Sequence, residues 1–210
     1  MGTILGIFVF FMLAQSDDEH RQEGARIVSN AHELLLRICT LVGCVCAFRY
    51  TSRLVDAHGC DNTFLDDFLL FASLPMFYVY CGFGVMAAAF TPMSSVVVGT
   101  LVLYAVSFFE MPLQTTFIMD GLRRGADARL ARRKPGRGII MFVLIANLCV
   151  WLVLTFEVKT QLQVVETAFY GYTTWTIISK LCVPLTIFYR FHSAVCLWDI
   201  WDHAYKEHPL

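Results

Sequence analysis

Glu110, Gln114, Asn147, Lys180, Tyr189, Arg190 and His192 are polar or ionisable side chains set within otherwise apolar runs. A charge at membrane depth is costly and persists where it faces a partner or a water-filled path. Glu110 and Gln114 lie four residues apart and share a helix face, with Pro112 between them loosening the local ladder. Desolvation favours a neutral carboxyl there, and a carboxyl that gains and loses a proton is a relay group. Asn147 falls near the middle of its run. Its amide donates and accepts at once, which suits a hydrogen-bonded path or a helix-to-helix contact equally. Glu157 closes that run, either as a solvated interface residue or as an acceptor at an outer mouth. Lys180 is expected to be deep, and therefore neutral or paired. Tyr189 and His192 share a face, as do Thr186 and Arg190. Arg190 near the inner interface could be satisfied by snorkelling, and histidine is the side chain that changes charge nearest physiological pH. These types at these depths point to a channel or transporter.

The elements that must position them are helices. The chain is 57% hydrophobic and only 16% charged, with a mean hydropathy of +0.60. A soluble domain is about 25% charged. A span needs about 20 mostly apolar residues. Runs 68–90 and 138–157 meet that length; 92–120 meets it apart from Glu110, and 167–201 exceeds it. Two further runs are weaker: 1–15 is short, and 31–50 is interrupted by Arg37. The expected fold is an all-α polytopic membrane bundle of about six transmembrane helices in a single domain, 1–210. The start does not read as a signal peptide, because no Lys or Arg precedes the apolar run and no small-residue cleavage site follows.

Lys and Arg in short loops set the direction. The loop at 121–138 carries Arg123, Arg124, Arg129, Arg132, Arg133, Lys134 and Arg137. The loops on the opposite side carry only Arg21, Arg26 and Lys159, and one of them also holds Asp17, Asp18, Glu19 and Glu23. The basic loop is therefore expected in the cytoplasm together with both termini. The basic loop also resembles a site for anionic lipid headgroups, although ordinary topology determination is the better account of it. Tyr170, Tyr172 and Trp175 at one end of the last run, and Trp198 and Trp201 at the other, form the aromatic belts of two interfaces.

Other chemistry is absent from the pattern. The eight cysteines form no CxxC and read as small buried apolar residues, so neither a metal nor another cofactor is expected. No P-loop, HExxH or nucleophile–base pair points to an enzyme. The aromatics lie in apolar runs rather than among basic residues, which excludes a nucleic-acid partner.

The segment Phe188-Tyr189-Arg190-Phe191-His192-Ser193, preceded by Trp175-Thr176-Ile177-Ile178 and Pro184, resembles the last transmembrane helix of otopetrins. Leu113-Gln114-Thr115-Thr116-Phe117-Ile118 is similar to that family's LQTxFI run. Asn147-Leu148-Cys149-Val150-Trp151, followed by Thr155-Phe156-Glu157, resembles its penultimate helix. Asp66-Asp67 ahead of a helix with Tyr78 and Tyr80 is also similar. The resemblance implies a proton-selective plasma-membrane channel, with this chain corresponding to the C-terminal six-helix half. It implies assembly as a homodimer or with another otopetrin-type half. It also implies that Gln114, Asn147, Glu157, Arg190 and His192 occupy the family's polar positions, whereas Lys180 stands where an Asn is usual. The alternative reading is a non-conducting half-length subunit or fragment that assembles with a full-length otopetrin.

Overall fold

A chain this apolar must satisfy its backbone polar groups within each segment, and the α-helix does so. The computed structural model describes residues 2–14, 19–56, 63–157 and 164–206. Its helices are α1 (Gly2–Ala14), α2 (Glu19–Thr51), α3 (Phe64–Phe90), α4 (Ser95–Gly121), α5 (Ala128–Arg133), α6 (Arg137–Glu157), α7 (Val164–Tyr170) and α8 (Tyr172–His203). Two-residue strands, β1 (Val55–Asp56) and β2 (Arg124–Gly125), form one antiparallel pair. The protein is an all-α, multi-pass membrane bundle.

Five helices, α2, α3, α4, α6 and α8, are long and apolar enough to cross a membrane. At about 1.5 Å per residue the 13-residue α1 reaches only about 20 Å, so the first expected span is too short to cross alone among the described residues. Two other boundaries differ from expectation. Helix α2 begins at Glu19 rather than 31, and within this added stretch Asn30 donates to Thr100 Oγ1 on α4 at 3.1 Å. The run 167–201 is broken at Gly171, whose φ of +79° an L-residue rarely adopts, so α7 and α8 are separate helices. Asp17, Asp18, Cys60 and Lys159 lie outside the described residues.

The five long helices close a ring. Helix α2 packs on α4, α4 on α3, α3 on α8, α8 on α6, and α6 back on α2. Helix α1 lies against α2 and α6, and α7 against α3 and α8. The ring is apolar outward: Phe71, Phe109, Ile177 and Leu181 are exposed on its surface. Inside it, hydroxyls satisfy themselves on their own helices. Thr40, Ser73, Ser107 and Thr115 each donate to the carbonyl four residues earlier. Toward the end bearing the basic loop, Phe117, Ile118, Ile140, Leu197 and Ile200 form a dry core. At the far end, Ala88, Val96, Val97 and Val165 form a smaller one.

The basic loop is tied down by its own charges. Arg124 donates to Leu54 O at 3.3 Å and pairs with Asp120 at 2.7 Å. Arg137 donates to Trp201 O and lies 3.8 Å over that indole ring, and Tyr205 donates to Pro135 O at 2.7 Å.

Candidate functional site

Between the two apolar cores, six polar side chains from four helices converge. Helix α2 supplies Glu33 and Arg37, α4 supplies Glu110 and Gln114, α6 supplies Asn147, and α8 supplies Arg190. The four-residue spacing of Glu33/Arg37 and of Glu110/Gln114 places each pair on one helix face. Glu110, Gln114, Asn147 and Arg190 are fully buried, and Arg37 is 4% exposed.

The arrangement is a chain of alternating charge. Arg190 holds Glu110 by both guanidinium arms, Nη1 donating to Oε1 at 2.7 Å and Nη2 to Oε2 at 2.5 Å. Arg37 Nη1 stands 3.6 Å from Glu110 Oε2 on the other side. Arg37 in turn donates to Glu33 Oε1 through Nε at 2.8 Å and Nη2 at 2.5 Å. Two carboxylates and two guanidiniums balance, the condition under which charges persist out of water. Gln114 and Asn147 close the network by exchanging amides, Nε2 to Oδ1 at 2.9 Å and Nδ2 to Oε1 at 3.2 Å. Arg190 Nη1 also reaches Gln114 Oε1 at 3.5 Å and Asn147 Oδ1 at 3.4 Å.

On the far side of this network lies a cavity of about 140 Å³. Arg26, Asn30, Glu33, Arg37, Tyr104 and Glu166 are among the residues lining it. Its volume and the charged side chains on its wall suit several waters, and Arg37 Nη1 keeps donor capacity that no hydrogen bond uses. Glu166, on α7, accepts from Tyr104 Oη at 2.8 Å. Burial raises its pKa above the ordinary carboxyl value, and the Tyr104 hydrogen bond opposes that shift only in part. Gly84 on α3 makes room for this pair, because a Cβ there would overlap the Tyr104 ring.

The remaining expected site residues are dispersed. Tyr189 is buried, but it faces α4 rather than His192's surroundings: its hydroxyl lies 2.8 Å from Thr115 Oγ1 and donates to Met111 O. His192 instead faces α3, with Nε2 3.4 Å from Asp66 Oδ1, and its ring stacks on Phe188. Arg190 does not snorkel; it is drawn inward by Glu110. Glu110 is therefore not the isolated carboxyl expected but one arm of an ion pair. Lys180 is exposed on the outer face of α8 between Ile177 and Leu181, and it takes no part in the network. Glu157 ends α6, and its side chain lies outside the described set. Sequence reasoning missed Glu33 and passed over Arg37 as an interruption. Their signal was present as an i, i+4 opposite-charge pair within one helix. It also missed Tyr104 and Glu166, 62 positions apart, which only the fold brings together.

Fold and site define a multi-pass helical membrane protein with an ionic interior. The family model for otopetrins matches residues 1–191. Over 209 residues the chain is 35% identical to "Proton channel OtopLc" of Drosophila melanogaster, covering 99% of this chain and 13% of that protein. It is 34% identical over 71 residues to "Proton channel OTOP2" of Homo sapiens, covering 33% of this chain and 13% of the relative. It is 30% identical over 96 residues to "Proton channel OTOP1" of Mus musculus, covering 45% and 15%. The chain belongs to the otopetrin family. In each case the matched stretch spans only 13–15% of the relative's own length.

Proposed function

We propose that this chain forms the proton-conducting C-terminal half of an otopetrin-type channel and is not an enzyme. The observation that carries the reading is the buried polar file inside the ring. A cavity with charged groups on a partly apolar wall leads through Glu33 and Arg37 to Glu110 and Arg190, and from there to the Gln114–Asn147 amide pair. In such a file Glu33 and Glu110 are the proton acceptors, and the guanidiniums, which cannot be deprotonated, hold those carboxylates in place. Gln114 and Asn147 are neutral, so they pass a proton only by exchanging the hydrogen bonds that now join them. Below them the dry core of Phe117, Ile118 and Leu197 closes the path, so conduction requires that core to admit water. Protons would travel down their gradient across the plasma membrane, with the basic loop and the end of α8 in the cytoplasm, as the Lys and Arg distribution supports. Glu166 would then lie near the outer mouth. Assembly with a second copy or with another otopetrin-type half supplies the remainder of the channel.

The second reading is a half-length subunit that conducts nothing alone. The fully paired charges and the dry core below them favour it. Whole-cell patch clamp on cells carrying the chain at the surface, in sodium-free solution, separates the two. A reversal potential moving by about 59 mV per pH unit marks a proton conductance. Silence with protein at the surface sinks the stand-alone channel and leaves the subunit.

A further inference from the structure

We propose that Asp66, His192 and Cys196 form a binding site for a zinc-type divalent cation at the basic-loop end of the bundle, joining α3 to α8. The sequence gives no metal spacing, because the third ligand comes from a distant helix. Cys196 follows His192 by one turn of α8, and Asp66 lies in the first turn of α3, which packs on α8. The Asp66 carboxylate oxygen, the His192 ring nitrogen and the Cys196 sulfur lie within 4.8 Å of one another.

The two separations made by His192 are close to what the ion requires. A tetrahedral Zn²⁺ bound at about 2.3 Å to sulfur and about 2.0–2.1 Å to nitrogen or oxygen separates its ligand atoms by roughly 3.3–3.6 Å. His192 Nε2 is 3.7 Å from Cys196 Sγ and 3.4 Å from Asp66 Oδ1. One ring nitrogen thus faces two groups although it can share only one proton or lone pair, and a cation between the three would engage all of them. The ring plane is set by Phe188, stacked at 5.4 Å and 9°.

Access and charge agree with this. The side chain of Asp66 is 38% exposed and that of His192 12%, while Cys196 forms the buried floor, so an ion enters past the carboxylate. The neighbouring Asp67 is paired with Arg123, which leaves that cation committed elsewhere. A carboxylate and a thiolate neutralise a divalent ion, and coordination releases the Cys196 thiol proton to solvent. Thiolate plus imidazole selects zinc-like ions over magnesium or calcium, which prefer all-oxygen sites. Three protein ligands leave a fourth position for water. The assignment is independent of whether the chain conducts.

The test is cobalt titration of the purified full chain in detergent, followed by optical absorption. Expected are a thiolate-to-cobalt charge-transfer band and the visible bands of tetrahedral cobalt, saturating at one ion per chain. Zinc should bleach them and magnesium should not. Cys196→Ser abolishes the charge-transfer band, and Asp66→Asn weakens binding by at least about tenfold. Size-exclusion elution and helical circular dichroism confirm that each variant is folded; if Cys196→Ser fails this, His192→Gln replaces it. A wild-type chain with no saturable tetrahedral spectrum overturns the site, as does a band that survives in a folded Cys196→Ser or His192→Gln chain.

Discussion

Helix α4 touches two buried glutamates that are treated in opposite ways. Its own Glu110, fully buried, sits between Arg37 and Arg190 and is held as one member of a balanced ionic chain. Six residues earlier, about 9 Å along the helix, its Tyr104 donates to Glu166, which is 4% exposed and is offered a phenol rather than a cation. With comparable burial, the partner decides the chemistry. A carboxylate clasped by guanidiniums fixes a geometry. A buried carboxyl facing a phenol and a cavity has its pKa raised by burial, with no cation beside it to fix its charge. The division of labour is a rigid ionic waist beside a titratable mouth.

The sharpest way to break this contrast is to remove a cation from the waist. Arg190→Gln leaves Glu110 facing only Arg37, and breaking a buried pair costs about 3–5 kcal/mol. Thermal stability and the yield of monodisperse protein should fall steeply. The double change Glu110→Gln with Arg190→Gln should recover most of the loss, since neutral amides can bond each other. Equal loss in the single and double variants would mean that the ion pair does not organise the waist. Next in size is Gln114→Leu, which orphans half of the Asn147 amide and costs about 1–3 kcal/mol. Its stability loss should stay within that range while any proton current disappears; a current unchanged in amplitude would remove the amide pair from the path.

At the mouth the expected effect is smaller and depends on pH. Because burial raises the folded-state pKa of Glu166, the folded protein binds that proton more tightly than the unfolded chain. Its stabilising share is complete below the ordinary carboxyl value of about 4.3 and declines as pH rises through the raised value. Thermal melts across that window should show stability falling with pH, and Glu166→Gln should flatten the slope. An unaltered slope would place the titration elsewhere. Smallest of all is Lys180→Gln. Because it removes a charge from the lipid-facing side of a span, where charge is costly, it should not lower stability, and it should leave the reversal potential unmoved; a shifted reversal potential would return Lys180 to the pathway.

The legible part of this molecule was one-dimensional. Apolar runs over 68–90 and 138–157 became α3 and α6, and Glu110 with Gln114 share the face that their spacing dictates. What escaped depends on partners distant in sequence. Nothing in the α8 run says that Arg190 turns inward, because the cause is Glu110, 80 positions away. Lys180 and Arg190 look alike as charges in an apolar helix, yet one faces outward and the other a carboxylate. Helix phase could have separated them: ten residues apart, they fall about 80° short of three full turns and so point to different sides. The break at Gly171 was visible only as one glycine in a long run, and apolar length alone argued for continuity.

That glycine has a consequence for how the sequence can vary. Across an unbroken helix, adding or deleting one residue rotates everything beyond it by about 100°. At Gly171 the positive φ ends one helical phase and starts another. Helix α7 can therefore hold Glu166 against Tyr104 by its own packing, whatever angular setting α8 adopts to present Arg190. The two functional faces are insulated from one another's register. A residue inserted beside Gly171 should be absorbed there, whereas the same insertion in the middle of α8 would swing Arg190 out of reach of Glu110.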